Sequence, residues 1–157
     1  MASRIEIPSG SKRRRVTPMS DVFSKFQRSR IMRSVRSTGT SAEQRCEAIL
    51  RSLKIKFTRN GARLPGKPDF VLKSSRLVVF VHGCFWHSHA GCKNATPPTS
   101  NIEYWSGKLA RNQQRDRRVR QAIRKLGWRT AVIWECKLQD ADSVTRRLLK
   151  LTSRDGK

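Results

Sequence analysis

The sequence predicts a mixed α/β fold in which one β-sheet is flanked by helices. Three observations predict it. The run Leu77-Val78-Val79-Phe80-Val81 is a strand-sized apolar block of the kind covered on both faces. Apolar residues recur at helical spacing on either side of it, over 42–53 and 105–126. Clusters of Gly, Pro, Asn and Ser separate the two patterns. The 157 residues are enough to bury one core without disulfides.

Taken in order, residues 1–20 mix Gly, Pro and Ser with the basic run Lys12–Arg15 and read as a basic arm without stable structure. The folded domain is expected over 21–157. Asp21 is placed to N-cap a helix through about Arg36, with Phe26, Ile31, Met32 and Val35 as a weak apolar side. Thr38-Gly39-Thr40 breaks it. Ser41 is expected to open a second helix, with Gln44 completing a capping box. Ala42, Cys46, Ile49, Leu50 and Leu53 form its buried stripe, so Cys46 reads as a core residue. Ile55–Thr58 alternates like a short strand. Asn60-Gly61 and Leu64-Pro65-Gly66-Lys67-Pro68 are turn chemistry. Two strands near 68–72 and 76–82 follow, joined as a hairpin through Lys73-Ser74-Ser75. After a loop from His82 to Thr99, a long helix is expected over Ile102–Leu126, buried through Trp105, Leu109, Val119, Ile123 and Leu126 and closed by Gly127. A strand over Trp128–Glu135 and a helix over Ala141–Leu151 complete the chain, with Trp128 and Trp134 expected in the core.

Charge narrows the function. Lys and Arg number 35 against 11 Asp and Glu, a formal net charge of +24. Such a field attracts polyanions, and nucleic acid is the first candidate. Small neutral metabolites are disfavoured as substrates. No apolar run approaches the roughly 20 residues that span a bilayer, and no basic helix has a broad apolar face. No secretory signal is expected at the N-terminus. Charge alone does not separate a DNA binder from a nuclease.

Three constellations could carry chemistry. The first is Cys84-x4-His89-x2-Cys92 with the distant Cys136. Zinc takes four thiolate or imidazole ligands in a tetrahedron, and a three-Cys, one-His set is an ordinary structural site. Cys136 follows a strand and can meet a loop leaving the neighbouring strand. Buried free thiols are the plainer reading of Cys84 and Cys136, but the loop has little apolar content to hold it otherwise. The second is Asp69 with Glu43, His82 and His87. A strand-start carboxylate is how many nucleases present oxygen to Mg²⁺, and phosphodiester hydrolysis needs an activated water and neutralised phosphate charge. Asp69 reads equally as a cap after Pro68, Glu43 alone as a dipole-favoured helix residue, and His82 and His87 as further zinc ligands or polar loop groups. The third is aromatic. Phe85 and Trp86, in a turn-rich basic setting, are suited to wedge between bases, whereas Trp105 lies at core spacing. Arg111, Arg115, Arg117, Arg118 and Arg120 form a solvated helix face suited to phosphate.

Several linked motifs resemble one family. They are Leu64-Pro65-Gly66-Lys67-Pro68-Asp69-Phe70-Val71, Val81-His82-Gly83-Cys84-Phe85-Trp86-His87, Arg115-Asp116-Arg117, Gly127-Trp128-Arg129 and Ile133-Trp134-Glu135-Cys136, with Ser29–Arg33 and Glu43 before them. In this order they look like the very-short-patch repair endonucleases, over roughly Phe26 to Lys137. The resemblance implies a restriction-endonuclease-like mixed sheet with a structural zinc site. It also implies a Mg²⁺-dependent nick 5′ to the thymine of a T:G mismatch, the lesion left by 5-methylcytosine deamination. By matching positions, Asp69 and the backbone carbonyl of Val81 would hold Mg²⁺. His87 would be the general acid/base, His82 would support the scissile phosphate, and Glu43 would help through water. Cys84, His89, Cys92 and Cys136 would hold Zn²⁺. Phe85, Trp86 and Trp105 would enter DNA from the major groove and Met32 from the minor groove. Well-known members carry Thr where this chain has Val81, a change that a main-chain ligand survives. The implied setting is a bacterial cytoplasmic monomer acting on double-stranded DNA, with mismatch repair proteins as candidate partners. A restriction-like nuclease of matched DNA, or a zinc-stabilised DNA-binding module without catalysis, are the alternatives.

Overall fold

The computed structural model describes residues 38–153. The expected arm over 1–20 and the expected helix from Asp21 to Arg36, Met32 included, lie outside the described residues. Helix α1 spans Ser41–Ser52, strand β1 Thr58–Arg59, β2 Phe70–Leu72 and β3 Leu77–His82. Helix α2 spans Ile102–Lys125, strand β4 Arg129–Trp134 and helix α3 Ala141–Thr152. The strands form one sheet in the order β1-β2-β3-β4. The first two pairings are antiparallel, and β3 runs parallel to β4 with His82 opposite Trp134. The sheet is therefore mixed, as the sequence predicts.

Period-two alternation sends the strand side chains to two cores. Phe70, Leu72, Leu77, Val79, Ala131 and Ile133 pack with Cys46, Ile49 and Leu50 of α1 and with Val144 and Leu148 of α3. Val71, Val78 and Phe80 pack on the opposite face with Ile123 of α2, with Val119 and Val132 at their edge. Asp69 shares parity with Val71, and His82 with Phe80. Alternation thus assigns both to the α2 side of the sheet.

Three local expectations are corrected. The N-cap of α1 is Thr40, not Ser41, and its capping-box partner is Glu43, not Gln44. The hydroxyl of Thr40 accepts from the Glu43 N–H at 3.2 Å and donates to the Glu43 carboxylate at 2.9 Å, while the Gly39 N–H donates to the same carboxylate at 2.9 Å. The first strand lies at Thr58–Arg59 rather than Ile55–Thr58. Ile55 and Phe57 instead turn into the α1 core without ladder pairing. Leu126 is 52% exposed, because the helix ends there at the αL turn of Gly127 (φ 76°). The final helix and the β2–β3 hairpin fall where expected, and Cys46 is fully buried.

Candidate active site and metal centre

Pro68 and Gly66 set Asp69 at the mouth of a cleft. Gly66 has φ 71°, and a Cβ there would lie 2.4 Å from Cγ1 of Val119. Only glycine lets this turn approach α2 so closely. The Val81 N–H donates to Oδ2 of Asp69 at 2.7 Å, across the β2–β3 pair. Burial pushes the Asp69 carboxyl up, the Val81 hydrogen bond opposes this, and the nearby Glu43 charge adds to it; the result is about 6. A half-buried carboxylate held near a second one fits a site for a divalent cation with oxygen ligands.

Across the cleft stands a His–Asp pair. Nδ1 of His87 lies 2.5 Å from Oδ2 of Asp116 on α2. Burial alone would raise Asp116, but the His87 hydrogen bond and the charges of His87, His82 and Arg115 outweigh it and lower it. An ionised Asp116 makes His87 Nδ1–H the donor, so that in the neutral ring Nε2 is the free acceptor nitrogen. The His82 ring stacks on His87, with centroids 3.7 Å apart. Burial first, then His87, pushes His82 down to about 3, so it is neutral near pH 7. Glu43, Asp69, Val81, His82, His87, Asn112, Arg115 and Asp116 all line one open cleft of about 910 Å³.

A second cluster lies behind the histidines. The ligating atoms of Cys84, His89, Cys92 and Cys136 lie within 4.8 Å of one another. Nδ1 of His89 is 3.5 Å from Sγ of Cys84 and 3.4 Å from Sγ of Cys136. A closed set of three thiols and one imidazole suits a structural tetrahedral metal rather than an open catalytic one. Trp134, expected in the core, instead stacks on His89 at 4.1 Å.

The aromatics form a third group, of which Trp86 lines the cleft. Phe85 meets Trp86 at 5.1 Å and Trp105 at 5.3 Å, both edge-on. Trp105 is 6% exposed and floors the cluster, while Phe85 and Trp86 are half-buried above it. Nζ of Lys108 sits 5.2 Å from the Trp86 ring and 5.6 Å from that of Trp105. Asn112 Nδ2 donates to the Trp86 carbonyl at 3.0 Å and ties this loop to α2.

Comparison with known proteins decides the family. The sequence pattern described as "DNA mismatch endonuclease Vsr" matches residues 20–94. The "DNA mismatch endonuclease Vsr" of Escherichia coli (strain K12) is 39% identical over 131 residues, 83% of this chain and 83% of that protein. The chain belongs to the Vsr family of DNA mismatch endonucleases. The "Type II nicking enzyme V.XorIIP" of Xanthomonas oryzae pv. oryzae is 43% identical over 130 residues, 83% of this chain and 95% of that protein. The "Type II nicking enzyme V.NmeAIP" of Neisseria meningitidis is 35% identical over 133 residues, 85% of this chain and 94% of that one. Among solved structures, a homing endonuclease I-Bth0305I catalytic domain is similar with a TM-score of 0.43 at 20% identity, over 72% of this chain and 94% of that one.

Within this Vsr chain, the cleft gathers the four candidate catalytic residues, and the four candidate zinc ligands form one cluster. Two cleft residues escaped the sequence reading. Asp116 stands out in the sequence only as part of a matching motif, and Asn112 belongs to none of the motifs. Both lay open to view in the helix pattern. Trp105, Leu109, Asn112, Asp116, Val119 and Ile123 follow one another at spacings of four and three, so two polar residues interrupt the apolar stripe of α2. Among the described residues, no helix is long and apolar enough to cross a membrane.

Proposed function

We propose that the chain is a strand-specific endonuclease that nicks duplex DNA on the 5′ side of the thymine of a T:G mismatch and so starts very-short-patch repair. The observation that carries this reading is the His87–Asp116 pair sharing one cleft with Asp69, a cleft that Trp86 of the aromatic cluster also lines. Vsr family membership supports it independently.

In this mechanism Asp69 and the Val81 carbonyl would hold Mg²⁺, which would supply Lewis-acid neutralisation of phosphate charge. His87 Nε2 takes a proton from the attacking water. Asp116 holds the Nδ1–H and stabilises the imidazolium that forms. The water oxygen bonds to phosphorus, the P–O ester bond to the leaving oxygen breaks, and that oxygen takes up a proton from solvent water while His87 later returns its proton to solvent. General acid/base work of this kind is worth about 10²–10⁴-fold. Being neutral, His82 supports the phosphate by hydrogen bonding rather than by charge. Glu43 completes the capping box of α1 and lines the cleft, where it acts through water. Cys84, His89, Cys92 and Cys136 hold a structural Zn²⁺.

Mismatch selection comes from deformation. Inserting side chains between base pairs costs a few kcal/mol per step, and a wobble pair resists less than a matched one. Phe85 and Trp86 form the inserting tip, backed by Trp105, and Met32 approaches from the other groove. Residues 1–20 add non-specific affinity. The protein works as a monomer in the bacterial cytoplasm, where mismatch repair proteins are candidate partners. The test is single-turnover nicking of end-labelled T:G, T:A and C:G duplexes of one sequence with Mg²⁺. A nick confined to the T:G thymine strand is expected. Equal cutting of matched duplexes would make it restriction-like, and binding without any nick would make it a DNA-binding module.

A further inference from the structure

The catalytic histidines and the metal-binding cluster are joined by a continuous line of rings. His87, hydrogen-bonded to Asp116, stacks on His82 with planes 13° apart. The rings of His82 and Trp134 meet in a T-shaped contact at 5.4 Å and 78°. Trp134 in turn lies parallel to His89, with centroids 4.1 Å and planes 7° apart. His82 and Trp134 are also register partners on β3 and β4. Trp134 belongs to neither donor set and to neither core cluster of the sheet.

An ordinary β-branched residue would satisfy a strand position at this sheet end. An indole does something more specific, because one flat face can seat a parallel ring while another part of it meets a second ring edge-on. The terminal torsion of a histidine is broad. The plane of the His82 ring is therefore set by its ring neighbours, which are His87 at 3.7 Å, Trp134 at 5.4 Å and, more loosely and tilted by 54°, Phe80 at 6.0 Å.

We propose that Trp134 is a positioning residue for the nicking reaction. Braced by the His89 ring of the metal cluster, it fixes the plane of His82 and, through the stack, the aim of His87 Nε2. The inference rests on the function proposed above. Small displacements of a reacting group lower rates steeply, by as much as about 10²-fold for 1 Å.

The test uses full-length Trp134→Leu and Trp134→Phe, with zinc content measured by metal analysis and duplex binding measured without Mg²⁺. Trp134→Leu is expected to keep one zinc per chain and to bind the T:G duplex within about threefold of wild type, yet to nick it about 10²-fold more slowly in single turnover. Trp134→Phe, which restores a flat ring, recovers most of the rate. In a His82→Ala background Trp134→Leu causes no further loss, because it acts through His82. The low-field Nδ1–H resonance of His87 broadens in the ring-less variant alone. An unchanged rate, an unchanged His87 resonance or losses that multiply independently of His82 would each overturn the proposal. Should Trp134→Leu fail to fold, Trp134→Met, similar in bulk and without a ring, takes its place under the same expectations. If both lose their zinc and fold, Trp134 is a structural residue and the proposal is overturned. A wild type that does not nick T:G DNA overturns the function proposed above instead.

Discussion

Asp69 sits where its negative charge is poorly solvated and faces the charge of Glu43, which is why its carboxyl rises to about 6. A carboxyl that is easier to protonate in the native state than in the unfolded chain makes stability fall as pH rises through the interval, here from about 4 to about 6. Without added Mg²⁺, Asp69→Asn should therefore melt higher than wild type at pH 7, with the difference vanishing near pH 4, while its nicking drops to background. Thermal melts across pH with a parallel nicking assay check both halves. Asp116 has the opposite sign. Its lowered carboxyl contributes stability at neutral pH that is lost on acidification, and Asp116→Asn also removes the partner that fixes the His87 tautomer. Single-turnover nicking should fall by about 10²–10⁴-fold with duplex binding unchanged. At this scale the sequence was only partly legible. Asp69 announces itself by following Pro68 at a strand start, and His87 by its motif. Asp116 is flanked by Arg115 and Arg117, and a lone carboxylate in a run of arginines reads as surface unless the interrupted stripe is noticed.

Helix α2 acts as a ruler along the whole site. One face presents Trp105 to the aromatic cluster, Lys108 above it, Asn112 to the Trp86 carbonyl, Asp116 to His87 and Val119 to the Gly66 turn. The turn that carries Asp69 is registered against this ruler by the absence of a side chain at residue 66 and by the packing of Leu64 on the cluster that holds Ile123. Gly66→Ala would force a Cβ against Val119 and strain a backbone at φ 71°. The expected result is a loss of about 1–3 kcal/mol in stability and a disproportionate loss of nicking. A second change, Val119→Ala, should restore part of the stability by removing the clash while leaving the backbone strain. Denaturant unfolding of the single and double variants measures this. The helices and β3 were legible because periodicity and a continuous apolar run are strong signals. β1 was not, since Ile55 and Phe57 are apolar for packing rather than for pairing. The N-cap was displaced by one residue because Thr40 and Ser41 carry the same signal, and only the reach of Glu43 chooses between them.

For the whole molecule, a net charge of +24 makes DNA affinity a counterion-release problem. Binding of any duplex should weaken steeply with salt, and removal of residues 1–20 should flatten that slope while nicking of a T:G site persists. Titrations at several salt concentrations check it. The Cys/His cluster joins the loop after β3 to Cys136, two residues past β4, so with zinc bound there as proposed Cys136→Ser should lower the melting temperature and the zinc content before it changes duplex binding. The parallel β3–β4 pair is joined by the long excursion through α2, and such non-local closure is hard to read from sequence. The compact turn between His82 and His89 has one further consequence, for how this chain can diverge. The N–H groups of His87 and His89 donate to the carbonyls of Gly83 and Cys84 at 3.2 and 3.0 Å, so the side chains of this segment leave it in fixed rotation. The catalytic candidate His87, the candidate metal ligands Cys84 and His89 and the aromatics Phe85 and Trp86 hang on that one rotation, which starts just past His82 at the end of β3. Substitution can alter any of them singly, but a change of length alters all of them together. A single alanine inserted after Phe85 should abolish zinc retention and nicking at once, whereas the same insertion between Pro97 and Pro98 should spare both. Drift in this part of the chain is thereby confined to exchanges of residue, and gains or losses of length are left to the stretch that follows Cys92.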